Sequence, residues 1–162
     1  MKSVLISIKP RWCGLIARGE KTIEVRKTKP TIDTPFKCYI YKTTTDKVIG
    51  EFVCDRVQSY YCEFTDGGCY EGISSVFVDD EGDEFVYIEW SNEGDLPYEN
   101  TNLYTESCVR YDELKKYIGL GFKKNYGWHI SDLKIYDKPK ELSEFGLKRP
   151  PQSWCYVEEV EE

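Results

Sequence analysis

Histidine is nearly absent from this chain: one residue, His129, in 162. No two-histidine metal motif can be built from it. Seven cysteines occur, at 13, 38, 54, 62, 69, 108 and 155, but no Cys-x-x-Cys pair. The number is odd and the N-terminus, Met1 to Lys9, holds too short an apolar stretch for an export signal. Reduced thiols in a cytoplasmic protein are the expectation. Cys62 and Cys69 flank a turn at Asp66-Gly67-Gly68, yet a zinc ion there would need two further ligands from distant Cys108 or His129. Asp79-Asp80-Glu81-Gly82-Asp83 lacks the spacing of a calcium-binding EF-hand loop. No metal and no cofactor is expected. No run approaches the roughly 20 apolar residues that a membrane helix needs, so no membrane partner is expected either.

Base is missing from one stretch altogether. Residues 57–109 contain 13 acids and no lysine or arginine. Of the chain's 29 acids, 16 remain elsewhere against all 22 bases, a balance of +6, and four of those 16 sit in the tail at 158–162. The net charge of −7 therefore hides a mildly basic body, an acidic insert at about 58–107 and an acidic tail. Such segregation says more about partners than the overall charge does. The length fits a single domain over 1–162.

What is abundant is aromatic: 13 tyrosines, four tryptophans and seven phenylalanines. They favour a strand-rich fold. Val4 to Ile8 reads as a strand. Pro10 opens a short helix to Arg18, with Trp12, Leu15, Ile16 and Gly19 at i, i+3, i+4 and i+7. Thr22 to Arg26 alternates as a half-buried strand, with Ile23 and Val25 on one face and Thr22, Glu24 and Arg26 on the other. Further strands are expected at Phe36–Tyr41, Val48–Val57, Trp128–Tyr136 and Trp154–Val157. Val76–Val78 and Phe85–Trp90 flank an acidic turn and read as a hairpin. Asn92–Asn102 reads as loop and Arg110–Ile118 as a helix. The sum is an α+β fold or a small closed barrel.

Gly19-Glu20-Lys21-Thr22-Ile23-Glu24-Val25-Arg26 concentrates the chemistry. Glu24 and Arg26 lie two apart on a strand, so the carboxylate and guanidinium sit side by side and orient each other. Lys21 stands at the helix–strand corner. The set suits a phosphate or a base edge; a structural ion pair on a solvated strand fits the same spacing. Lys9 and Arg11, cations at a helix start, are better placed to meet phosphate than to stabilise the helix. Trp128 and His129 fit base stacking and an imidazole hydrogen bond, or a core tryptophan and a strand-end histidine.

The pattern Gly-x-Lys-x-x-Glu-x-Arg, met by Gly19, Lys21, Glu24 and Arg26, resembles the signature of the ASCH superfamily. Ser7–Trp12, Trp128–Tyr136 and Arg149–Tyr156 are similar to parts of bacterial and prophage ASCH proteins. The resemblance covers about residues 1–56 and 108–158. It implies a PUA-like β-barrel with flanking short helices and an RNA- or nucleotide-binding cleft at Lys21, Glu24 and Arg26; Lys9, Arg11, Trp128 and His129, read from their own chemistry, are expected as further ligand contacts. It also implies two catalytic alternatives that would use Lys21 and Glu24 in the same cleft: a ribonuclease, or an amidohydrolase of N4-acylated cytidines. In the amidohydrolase branch a threonine nucleophile stands where this chain has Glu24, and a carboxylate does not replace a hydroxyl in acyl transfer. The acidic insert offers a third reading, a phage-derived interaction or inhibitor protein that docks a protein partner.

Overall fold

The computed structural model describes residues 1–67 and 69–161; Gly68 of the expected 66–68 turn and Glu162 of the acidic tail lie outside the described residues. The strands are β1 (Lys2–Ile8), β2 (Ile23–Arg26), β3 (Phe36–Lys42), β4 (Lys47–Phe64), β5 (Gly72–Val78), β6 (Glu84–Ser91), β7 (Gly121–Glu141) and β8 (Trp154–Glu158). The α-helices are α1 (Pro10–Ala17), α2 (Asn102–Ser107) and α3 (Tyr111–Ile118). The strand order is β2-β7-β4-β3-β1-β8, with β5 added on β4 and β6 on β5. The fold is α+β, as expected. The sheet is open, so the closed barrel that was expected is not seen among the described residues.

Contacts gather the chain into two compact units. The first takes Met1–Thr22, Pro30–Arg56 and the chain from Ile130 onward. Here β1 is central: it runs parallel to β3, with Val4 opposite Cys38, and antiparallel to β8, with Val4 opposite Tyr156. A strand with neighbours on both sides suits burial on both faces, and Ser3 to Ile8 are all buried, with the Ser7 hydroxyl donating to the Pro151 carbonyl at 2.7 Å. Leu5, Tyr39, Tyr41, Val48, Phe145 and Val157 form its core. The α1 stripe buries Cys13 and Ile16, and Pro10 occupies the first turn, where its missing N–H costs nothing.

Gly50 marks a β-bulge in this unit. Ile40 faces Gly50, but the next residue, Tyr41, faces Val48, so Ile49 is the extra residue. A Cβ on Gly50 would sit 2.5 Å from the backbone oxygen of Lys134. The position is closed to any other residue unless the backbone moves.

The second unit takes Ile23–Lys29 and Val57–His129. β2 pairs antiparallel with β7, placing Ile23 opposite His129, Glu24 opposite Trp128, Val25 opposite Gly127 and Arg26 opposite Tyr126. The alternation expected for β2 holds for Ile23 and Val25, which enter the core with Tyr60, Cys62, Phe64, Leu114 and Ile118. The other face is not solvated: Glu24 and Arg26 are buried as well. Leu114 and Ile118 are the apolar stripe expected of α3. The stretch read as loop before it leads into α2, whose N-cap Thr101 accepts a hydrogen bond from the Tyr104 N–H.

Glu71, just before β5, ties the hairpin base to α3. Its carboxylate accepts from the Tyr111 hydroxyl, from the Thr65 N–H at 2.8 Å and from Lys115 Nζ at 2.8 Å. Burial alone would push its pKa up, but the donors Lys115, Tyr111 and Thr65 outweigh that and hold it below the ordinary value of 4.5. The cysteines form no disulfide among the described residues, and burial pushes Cys62, which donates to Asn125 Oδ1, up to about 12.

Two outcomes follow from these contacts. Gly50→Ala is expected to cost about 1–3 kcal/mol in urea denaturation through overpacking, whereas Gly14→Ala inside α1, where the added Cβ meets only Arg18 Nη1 at 3.5 Å, gains about 0.5–1 kcal/mol. Because the folded pKa of Glu71 is lowered, its contribution is intact above pH 4.5 and disappears as pH falls through the depressed folded value. Glu71→Gln should therefore lower stability at pH 7 and flatten the acid limb of stability below pH 4.5.

Candidate nucleic-acid interface

In the first unit the relevant chain runs from Lys9 through α1 to Thr22. Lys9 is the N-cap residue and makes no side-chain cap bond; it and Arg11 are exposed. No acid lies in the first turn to offset them. Gly19 adopts φ +76°, a left-handed conformation that glycine takes without strain. The N–H groups of Glu20 and Lys21 then both point back to the Leu15 carbonyl. This sharp reversal turns Lys21 inward, where it is only 2 % exposed. Its Nζ lies 4.7 Å from the centre of the Trp12 ring, and the Arg11 guanidinium lies 4.2 Å from the same ring. The π face of Trp12 offsets part of the cost of burying an ammonium. The structure thus brings Arg11 and Lys21 onto one indole and leaves Lys9 at the surface.

In the second unit Arg26 Nε donates to Glu24 Oε1 at 3.0 Å, and Nη2 reaches the same oxygen at 2.9 Å. Both side chains are buried, so the contact is an interior ion pair and not the solvated one that the spacing equally allowed. Trp128, opposite Glu24, is fully buried and its Nε1 donates to the Thr28 carbonyl at 3.3 Å. It offers no open face to a base. It anchors the chain leaving β2 instead. His129, opposite Ile23, is half-buried.

Beyond Arg26 the chain presents Lys27 and Lys29, both exposed. Lys27 Nζ lies 4.9 Å from the centre of the Tyr117 ring, and Lys29 Nζ 5.6 Å from that of Tyr126. The Tyr117 hydroxyl bonds the Lys27 backbone; burial pushes its pKa up, Arg26 opposes that and Glu24 adds to it. Tyr117 therefore senses both members of the buried pair. Sequence reading passed over these four residues. Lys27 and Lys29 fell in a proline-flanked loop, and Tyr117 lies off the apolar stripe that identified α3. The available signal was the density of base directly after the signature strand: Arg26, Lys27 and Lys29 within four positions. Three cations beside two tyrosine rings suit a phosphate chain carrying bases that stack. Among the described residues no group of three or more His, Cys, Asp or Glu is placed to share a metal ion.

The pair on β2 is testable by itself. Glu24→Gln and Arg26→Gln should each cost about 3 kcal/mol of unfolding free energy. The double variant should cost clearly less than the sum, since coupled neighbours are not additive. Urea titration of the four proteins reads the coupling.

No protein-family model and no curated protein matches the chain. Solved structures do. A crystal structure of the ASCH protein from Zymomonas mobilis carrying a tyrosine-to-phenylalanine substitution superposes with a TM-score of 0.65 at 18 % identity, over 99 % of this chain and 93 % of that one. A serine-to-alanine variant of the same protein gives 0.62 at 18 % identity, over 98 % and 89 %. The unsubstituted protein gives 0.64 at 18 % identity, over 96 % and 87 %. The residues that first pointed to this superfamily are the ones that build β2 and the turn before it, and the chain has the ASCH fold.

Proposed function

We propose that this chain is an RNA- or nucleotide-binding protein of the ASCH fold. The observation that carries the reading is the exposed pair Lys27 and Lys29, each lying over a tyrosine ring, continuing from the fixed Glu24–Arg26 pair. In this reading the lysines contact phosphate, and Tyr117 and Tyr126 supply surfaces on which bases stack. Arg26 contacts a phosphate or carbonyl group, and Glu24 holds the guanidinium in place. Lys9 and Arg11, exposed at the start of α1 in the first unit, offer phosphate contacts of their own, while Lys21 stays packed on Trp12. Arg26, Lys27 and Lys29, three cations within four positions, supply the local attraction that such binding needs. No feature of the site favours catalysis over binding, so binding is the reading adopted.

Fluorescence anisotropy with a labelled single-stranded RNA oligonucleotide tests it. Binding should weaken steeply between about 50 and 200 mM salt. Lys27→Glu with Lys29→Glu, both at exposed positions, should weaken binding at least about tenfold and flatten the salt slope by roughly 1.4. Salt-insensitive binding, or binding unchanged in that double variant, would contradict the assignment.

A further inference from the structure

β6 is an open edge. Among the described residues it pairs with β5 alone, from Gly72 opposite Ser91 to Val78 opposite Glu84. Its other side presents backbone donors and acceptors that no strand takes up. Apolar side chains stand out on both faces: Tyr87 is 65 % and Ile88 67 % exposed, with Phe85 and Val86 about half exposed. Phe77 stacks on Phe85 with ring centres 5.6 Å apart and meets Tyr87 edge-on at 5.8 Å, so one face is a continuous aromatic surface. Edge strands are normally protected by lysine, proline or a bulge that turns the edge away. β6 has neither lysine nor proline, and its one register shift comes late, where Glu89 is the extra residue between Ile88 and Trp90. The regular stretch before it, Glu84 to Ile88, is an exposed apolar edge and a site for strand addition.

The occupant can be argued from charge. No lysine or arginine occurs between 57 and 109, against 13 acids. Glu84 is already met by Lys124 at 3.2 Å and Glu89 by the Ser75 hydroxyl. Next to β6 in the chain, the remaining acids are those of the hairpin tip, Asp79 to Asp83, and of the loop after β6, Glu93, Asp95 and Glu99. That loop closes a pocket of about 460 Å³ directly at the strand's end, lined by Trp90, Tyr98 and Tyr111 with Asp95 and Glu99. The ring centres of Trp90 and Tyr111 are 5.0 Å apart, Tyr98 and Tyr111 5.7 Å, and Trp90 and Tyr98 6.2 Å with planes near perpendicular. The rings pack on one another and Tyr98 is buried, so they form a floor beside Asp95 and Glu99 on which a cation can rest.

We propose that β6 is a docking strand for an extended basic segment of a partner protein, which adds to the sheet edge and places one lysine or arginine side chain in the Trp90–Tyr98–Tyr111 pocket. Alternate apolar residues of the segment cover the exposed faces of β6, and its cations meet the acids of the tip and loop. A second copy of this chain is disfavoured as the occupant, because it would bring the same acids against themselves. Nucleic acid is repelled by the same charge. The proposal is therefore independent of the RNA reading, and either can fail without the other.

The probe is an eight-residue peptide of alternating lysine and valine, titrated into the full-length isotope-labelled protein and followed by amide NMR. The expected result is movement of the amides of residues 84–91 and of the Trp90 indole, with affinity falling as salt rises. The matching glutamate–valine peptide should not bind, and N-methylation of alternate peptide bonds should weaken binding about tenfold or more by removing strand hydrogen bonds. Val86→Lys with Ile88→Lys, at exposed positions, should abolish binding while the circular dichroism spectrum stays unchanged. Asp95→Asn with Glu99→Gln should weaken it about three- to tenfold if the pocket takes a cation. Equal binding of the acidic peptide, shifts confined to residues 24–29, or full affinity in the Val86/Ile88 variant would each overturn the proposal. So would sedimentation as a dimer that the same variant dissociates, since the edge would then be filled by a second copy.

Discussion

A buried arginine and glutamate on a four-residue strand constrain much of the second unit. An isolated charge inside a protein costs several kcal/mol, so two of them survive there only in each other's company. Glu24 and Arg26 meet this condition because a strand puts residues two apart on one face, and because β7 covers β2 with Trp128 and Tyr126 directly opposite them. The same alternation sends Ile23 and Val25 into the core. Neither half works alone: the apolar face seats the strand, and the ion pair makes the polar face tolerable when it is covered. Trp128, fully buried and bonded to the Thr28 carbonyl, then fixes the direction in which Lys27 and Lys29 emerge.

Charge is segregated within the second unit. The cations following β2 meet tyrosines, while the hairpin of β5 and β6 carries acid and exposed apolar surface with no base of its own. Surfaces of opposite character attract different partners and discourage the wrong one, so a polyanion and a basic polypeptide need not compete. Net charge alone would have hidden both.

Much of this was legible in the sequence, and for identifiable reasons. β1, α1, β2 and α3 announce themselves through period and punctuation: an apolar run interrupted only by Ser7, a proline start, strict alternation, and Leu114 with Ile118 on one stripe. The β5–β6 hairpin was visible because apolar triplets flank a turn in which Asp79 Oδ1 accepts from the N–H groups of Glu81 and Asp83. The signature residues marked the polar cluster on β2 but not its burial. What the sequence hid was length. β4 runs on to Phe64 and β7 spans Gly121 to Glu141, well beyond the apolar cores that suggested them. Exposed charged residues extend β7, which leaves no hydrophobic trace, whereas the added part of β4 buries Tyr60, Cys62 and Phe64 in strict alternation, a signal the sequence did carry. α2 escaped because six residues are too few to show a helical period. The burial of Trp128 and the exposure of Lys27 and Lys29 depend on which neighbours cover them, and that is a property of the fold and not of local pattern.

The central claim is that the cations and tyrosines around β2 receive a phosphate-bearing ligand. Amide NMR of the full-length protein, titrated with a short unlabelled single-stranded RNA at low salt, tests it most directly. The account predicts saturable shifts centred on residues 24–29 and on Tyr117 and Tyr126, with residues 84–91 unmoved. Shifts that avoid those positions, or none at millimolar RNA, would contradict it.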